Sequence, residues 1–477
     1  MVPPPTRRQV IRGLAGTGAA AAGLGALATS PGTAYAASSQ QSPDGAGTVI
    51  ERDVCVIGGG SSGTYTAVRL TDLGQSVVVV EKKDRLGGHC ETYTDPATGL
   101  TTDIGVVVFH DLPIVREYFG RFSVPLVTVD EGAGPSPVYA DFRTGEVVSG
   151  YTAPVPTALE AYFGLLEQYP YLAAGYDLPD PVPAELLQPW GQFVAANDLG
   201  SIVQVVAEYA QGFANLLETP TVYILKYFSL QVVQDIFTGG FLNTPNHDNS
   251  ALYEAATGFL GADVLLNTTV VAGERGADGV ELYTVGPQGP VTIRARKLVI
   301  TVPPLPWLLE AFGLDATEFG LFSRFRQGNY ATGLVRLPGV PDGTSVQNIG
   351  ADTQYNLPPL PALYAVSPSS VPGLFDIKFG SDIPLPDAVV REQILESLNR
   401  LQAAGTIPAT TPVFVDYSSH SPYELTVSAA DVAAGFYTKL YALQGYRNTF
   451  WNGAAFQAHD STLLWQYTET LLPQIAA

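Results

Sequence analysis

Three glycines and one acid set the first chemical constraint in this chain. In DVCVIGGGSSGTYTAVRLTDLGQSVVVVE, residues 53–81, Gly58, Gly60 and Gly63 have G-x-G-x-x-G spacing and Glu81 ends the stretch. Asp53 to Ile57 reads as a short buried strand, Ser62 to Leu73 carries helical apolar spacing that stops at Gly74, and Ser76 to Val80 is a second strand. That unit cradles a dinucleotide. Gly58 permits the tight turn, Gly60 lets backbone approach a pyrophosphate, and Gly63 lets helix pack on strand. The helix N-terminus supplies N–H groups and a positive dipole end. Glu81 accepts from ribose hydroxyls and repels a 2′-phosphate, which disfavours NADP.

The residues that follow, KKDRLGGHCETYTDPATGLTTDIGVVVFH, hold the doublet Gly87-Gly88, then His89, Thr92 and Asp103-Ile104-Gly105. A glycine doublet after the ribose-binding acid resembles the flavin-containing amine oxidase superfamily. That family commonly has Arg directly after the doublet, and the G-G-H form here resembles its β-cyclopiazonate dehydrogenase-like branch. The resemblance implies FAD, with Gly87 and Gly88 bringing backbone to the pyrophosphate and ring system and His89 beside them. Two later stretches extend it. In residues 260–304, the valine after L-N-T, Val270, would set its backbone against the adenine. In GYRNTFWNGAAFQAHDSTLLWQYTETLLP, residues 445–473, Gly453 would let backbone pass the ring, and Asp460-Ser461-Thr462 would cap a helix whose N-terminus faces the flavin. Ser62 and Lys82 complete the expected cofactor-binding set. No Cys lies in that closing stretch to carry a covalent flavin.

The elements that must position these residues read as an α/β fold: a Rossmann-type FAD-binding domain of the amine oxidase type with a mixed α+β substrate domain. The expected boundaries are a signal segment over 1–36, a flexible linker over 37–48 and the first FAD-binding part over 49–135. A helical substrate-domain insertion over 136–250 follows, then the second FAD-binding part over 251–309 and the sheet of the substrate domain over 310–438. A closing strand–loop–helix spans 439–477. Val291 to Ala295 and Lys297 to Val302 read as two separate strands.

The chain has 477 residues with 45 acidic against 24 basic side chains. Such a balance argues against nucleic acid or an anionic membrane as partner. Two cysteines, Cys55 and Cys90, and five scattered histidines give no metal-ligand spacing. TRRQVIRGL, a Gly/Ala-rich run and Ala34-Tyr35-Ala36 read as a twin-arginine export signal with its cleavage site. The run is too short and weakly apolar for a stable membrane span. Export through machinery that carries folded chains fits a cofactor loaded beforehand, and FAD, unlike NAD, turns over in place. A secreted or extracytoplasmic location and contact with that machinery are therefore expected.

Three residues stand as catalytic candidates: His247 in NTPNHDNS and His459 before the capping loop as general bases, and Lys378 in LFDIKFG. The resemblance would give Lys378 the part of the flavin-N5 lysine of many amine oxidases. Aromatics including Tyr209, Phe213, Tyr223, Tyr227, Tyr330, Tyr355 and Tyr364 divide between core and pocket wall. The expected activity is hydride transfer from a C–H bond of a largely apolar small molecule to FAD, as amine oxidation or C–C dehydrogenation with oxygen as acceptor. A redox-neutral double-bond isomerase acting on polyunsaturated fatty acids is the alternative, and a flavin-holding binding protein is a third reading.

Overall fold

The computed structural model describes residues 48–129 and 136–477. The export segment 1–36 and nearly all of the tether lie outside the described residues. The first layer is a seven-stranded sheet on which the glycine loop sits. Thr48–Ile57 runs parallel to Val77–Val80 on one side and to Gly289–Ile300 on the other, and Val264–Leu265 extends the Val77–Val80 edge. All four valines of 77–80 are buried, as a strand covered on both faces requires. Thr269–Gly276 and Gly279–Gly286 add an antiparallel ribbon, and Thr449–Trp451 pairs in parallel with Gly289–Ile300.

Gly289–Ile300 is one twelve-residue strand where two were expected. Exposed Arg294 and Arg296 flank buried Ala295, the alternation of a continuous strand with one wet face. Cys55 and Cys90 are both free and buried.

Helix Ser61–Asp72 covers this sheet, burying Tyr65, Ala67, Val68 and Leu70. The C-terminal helix Ser461–Ala476 packs alongside it. Tyr65 Oη and Arg69 Nε both donate to Glu469 Oε1, each at 2.7 Å. The closing helix is thereby fastened to the helix that follows the glycine loop.

The second layer is an eight-stranded sheet built mainly from Arg326–Arg336, Ala362–Pro368, Leu374–Ser381 and Val413–Ser419, with Tyr423–Thr426 pairing on Arg326–Arg336. Val138–Asp141 and Glu146–Val147 also belong to it, Val138–Asp141 running parallel to Val346–Asn348. The insertion expected to be helical thus begins with two strands. Helix Asp387–Ala403 backs the sheet through Val390, Ile394, Leu398 and Leu401. Short helices fill 159–238; Pro183, Pro189 and Pro220 each sit at a helix N-cap, where the fixed φ and missing N–H cost least. Among the described residues no helix is long and apolar enough to cross a membrane.

One buried ion cluster staples the nucleotide layer. Arg275 and Glu318 have no exposed side-chain surface and form two hydrogen bonds of 2.8 Å each, while Arg447 Nη1 reaches Glu318 Oε2 at 3.1 Å. Removing one member of such a cluster strands the others' charges. Glu318→Gln is expected to destabilise the fold by about 3–5 kcal/mol, read as a shift of the urea midpoint at unchanged slope. A shift equal to that of an exposed Glu→Gln control would refute the staple.

Candidate active site

The glycine loop is held by its own backbone and by Glu81. Gly59 N–H donates to Glu81 Oε2 at 2.6 Å and Lys83 N–H to Oε1 at 2.7 Å, on a carboxylate that is 6% exposed. The Gly59 carbonyl accepts from Gly87 N at 2.8 Å and from Thr64 Oγ1 at 2.8 Å. A Cβ on Gly63 would stand 1.9 Å from the Gly58 carbonyl oxygen, so the helix could not approach the strand. One on Gly88, whose φ is +60°, would stand 2.8 Å from Gly60 Cα. No side chain caps the first turn of helix Ser61–Asp72, which begins just after Gly60 and includes Ser62. A bare helix N-terminus beside two close-approaching glycine segments suits a pyrophosphate.

Lys82 is exposed on the turn after Glu81. The lysine that reaches the doublet is its neighbour Lys83, whose Nζ donates to Gly88 O at 3.1 Å. Val270 sits half-buried at a register shift of the antiparallel ribbon. Gly453, with φ +116°, lies against Thr301, which in turn donates to the Ile57 and Gly58 carbonyls.

Beyond the doublet the structure gathers groups from distant parts of the chain. The His89 ring stacks on His420 with centroids 4.2 Å apart and runs parallel to His459 at 6.2 Å. Tyr423 packs 4.0 Å from His459 and 4.9 Å from Tyr330. Gly105 of the D-I-G segment leaves room for His420, since a Cβ there would meet Cε1 at 2.4 Å. His89, His459, Tyr227, Tyr364 and Asp376 lie deep in the protein yet keep accessible surface, which makes them walls of an internal space.

Burial dominates the electrostatics of this space. It lowers His89 to about 4, helped by Lys83, Lys82 and Arg85, and lowers His459 to about 3; His420 falls well below its ordinary value for the same reason. The same desolvation raises Asp376 to about 7 and Glu424 to about 8. The titratable walls are thus neutral near pH 7 or close to it.

His459 does not have the free lone pair a general base needs. Glu424 N–H donates to its Nε2 at 3.2 Å, so in the neutral ring the proton sits on Nδ1 and the imidazole offers a donor. His247 is exposed in a turn, with Asn243 Nδ2 3.2 Å from its Nδ1, and the structure does not bring it to the stacked histidines. Lys378 is half-buried on strand Leu374–Ser381, and its charge acts on Asp376 and Glu208.

Asp460 caps its helix as expected, and its carboxylate holds a second group as well. It is the N-cap of helix Ser461–Ala476: Oδ1 accepts from Leu463 N at 2.9 Å and Oδ2 contacts His110 Nε2 at 2.7 Å. Asp235 holds the other ring nitrogen of His110 at 2.5 Å. Burial opposes a charge on His110, but Asp460 and Asp235 outweigh it and raise the ring to about 10. Thr462 Oγ1 accepts from His110 N at 3.3 Å. Ser461 keeps its side chain near Tyr253. His420, Tyr423 and Glu424 were not singled out from sequence; nothing local in SSHSPYELT marks them.

The flavin containing amine oxidoreductase family matches residues 61–310. The chain belongs to that family. It is 40% identical to the FAD-dependent oxidoreductase oblC of Cochliobolus heterostrophus, over 90% of this chain and 92% of that one. It is 35% identical to the β-cyclopiazonate dehydrogenase of Aspergillus oryzae, over 90% and 94%. Among solved structures, a fatty acid isomerase from P. acnes aligns with a TM-score of 0.70 at 20% identity, covering 89% of this chain and 98% of that one. A putrescine oxidase variant aligns at 0.63 and 15%, covering 90% and 99%. These two likenesses establish the fold. The protein is an FAD-dependent oxidoreductase of the amine oxidase superfamily, and its glycine cradle fits that cofactor.

The Gly60–Gly88 approach yields a direct test. Gly88→Ala adds a Cβ into Gly60 in a left-handed conformation and is expected to lower bound FAD per chain at least about tenfold, equivalent to about 1.4 kcal/mol. Flavin absorbance of the purified protein measures it; full occupancy in the variant would refute the close approach.

Proposed function

We propose that this oxidoreductase removes a hydride from a C–H bond of a largely apolar, uncharged small molecule, with dehydrogenation at a carbon–carbon bond favoured over amine oxidation and oxygen as the final acceptor. The observation that carries this reading is the aromatic enclosure beside the glycine doublet, whose acids and imidazoles burial pushes toward their uncharged forms. A protonated amine entering it would meet Glu424 and Asp376, acids whose burial opposes the charge that would replace its water. The relative named for dehydrogenation of β-cyclopiazonate points the same way.

Gly58, Gly60, Gly63, Glu81, Gly87, Gly88 and Lys83 would hold the FAD, with His89 next to its ring system. When bound, FAD supplies the two-electron acceptor for the hydride. The chain's own part is to orient and to exclude water. Tyr227, Tyr330, Tyr364 and Tyr423 wall the substrate, Nδ1–H of His459 offers one donor, and burial keeps competing charges away.

Anaerobic 1,4-dihydronaphthalene, an uncharged hydride donor that becomes aromatic, is expected to bleach the flavin of the purified protein, and oxygen to restore it with release of hydrogen peroxide. Bleaching by benzylamine alone would assign amine oxidation instead. Steady conversion of linoleate with no oxygen consumed would assign the isomerase reading, and a flavin that none of the three engages would end the proposal.

Export belongs to the same proposal. A folded, FAD-loaded chain leaving through the twin-arginine route gives the paired Arg7 and Arg8 their purpose. Replacing both by Lys is expected to retain flavin-bound protein in the cytoplasm of a bacterial host, measured by fractionation; unchanged export would refute the route.

A further inference from the structure

Among the described residues two acids, Asp376 and Glu424, lie deep in the protein with no hydrogen bond to the carboxyl, and of the two only Asp376 has a lysine, Lys378, acting on it. Glu81 holds two backbone N–H groups, Glu318 is locked to Arg275, and Asp460 is held by a helix N-terminus and by His110. Glu424 is just as enclosed, 9% exposed, yet neither carboxyl oxygen has a hydrogen-bond partner among the described residues, and Oε1 is sealed from solvent. Its backbone is left-handed, φ +46°, at a side chain that disfavours that region. An unpartnered buried acid on a strained backbone needs a reason, and such features gather where chemistry is done.

Its surroundings supply the reason. Glu424 follows Tyr423, which packs on His459, and its own N–H fixes the His459 ring. His459 lies parallel to His89, the residue directly after the doublet Gly87-Gly88. The titratable groups that feel the carboxyl's charge are Tyr176, Tyr227 and Tyr423, while His459 meets only the backbone N–H of Glu424. No cation or second acid perturbs it, and burial is the sole cause of its shift.

We infer that Glu424 is the proton acceptor of this cavity. This rests on the dehydrogenation reading above. When a hydride leaves one carbon for the FAD, a proton must leave a second carbon, and the electron pair of that second C–H bond becomes part of the new π system. The proton passes to the Glu424 carboxylate, so the substrate loses two hydrogens and two electrons and the acid becomes neutral. An isolated carboxylate in an apolar enclosure is a stronger base than one in water, and a proton affinity near the working pH suits the task. His459 cannot do it, having committed its lone pair to the Glu424 N–H.

Glu424→Gln keeps the size of the side chain and removes the titratable carboxyl. The FAD-loaded variant is expected to carry as much flavin per chain as the wild type. Because the acid binds its proton more tightly folded than unfolded, its contribution to stability is lost as pH rises. The wild-type melting temperature should therefore fall relative to E424Q between pH 4.5 and about 8. Flavin bleaching by 1,4-dihydronaphthalene should slow about 100-fold or more in E424Q and lose its rise toward pH 8. Glu424→Asp, which keeps the acid but withdraws it, should retain that pH rise at a reduced rate. Parallel melting profiles, or bleaching as fast in E424Q as in wild type, would overturn the role of Glu424 alone. No bleaching in the wild type would overturn the dehydrogenation reading and this role together, so the two failures are distinguishable.

Discussion

The backbone of Gly59 is the junction on which the rest of the site depends. Its N–H is fixed by Glu81 at the end of one buried strand, and its carbonyl receives the N–H of Gly87. The two peptide groups that flank this one Cα therefore set the separation between the turn after Thr48–Ile57 and the doublet that precedes His89. Side chains would obstruct the contact at each step, as the 1.9 Å and 2.8 Å approaches at Gly63 and Gly88 show. The constraint is steric and local. Its consequence is long-range, because the position of His89 fixes where His420 and His459 can stack.

Two kinds of buried charge divide the work of the fold. His110 is clamped between Asp235 and Asp460 and joins helix Leu230–Thr238 of the insertion to the closing helix. Arg275, Glu318 and Arg447 do the same between the antiparallel ribbon and the strand that ends the nucleotide sheet. In both clusters each charge has a hydrogen-bonded opposite, which is the condition for tolerating it away from water. The cavity walls obey the other solution: groups without partners give up their charge. A structural acid and a chemical acid are thus told apart by their partners, since their burial is alike.

The FAD-binding unit was legible in the sequence because its chemistry is local. Gly58, Gly60, Gly63 and Glu81 lie within one strand–helix–strand stretch, where spacing dictates geometry. The Asp460 cap was legible for the same reason, whereas the contact of its carboxylate with His110 was not, since His110 lies 350 residues away. The walls of the cavity were not. His89, His420 and His459 meet only because three loops converge, and no periodicity of the chain encodes that meeting. Val138–Asp141 pairs with Val346–Asn348 across some two hundred residues, too far for any local pattern to announce. His247 looked better than His420 in sequence, and the left-handed turn at 247 that carries it to the surface has no strong signature of its own.

Neutrality is the property that links these walls to a choice of chemistry. Enclosure pushes imidazoles down and carboxylic acids up, so both converge on their uncharged forms near pH 7. A charge that develops during reaction is then felt strongly, because little water or fixed counter-charge screens it. In the proposed reaction, hydride loss would leave positive charge on the substrate and make its neighbouring C–H bond acidic beside an unpaired carboxyl. An enclosure lined with paired ions would spend that field before the substrate arrived. The unpartnered state of Glu424 is a cost to the fold that the proposed proton transfer would require.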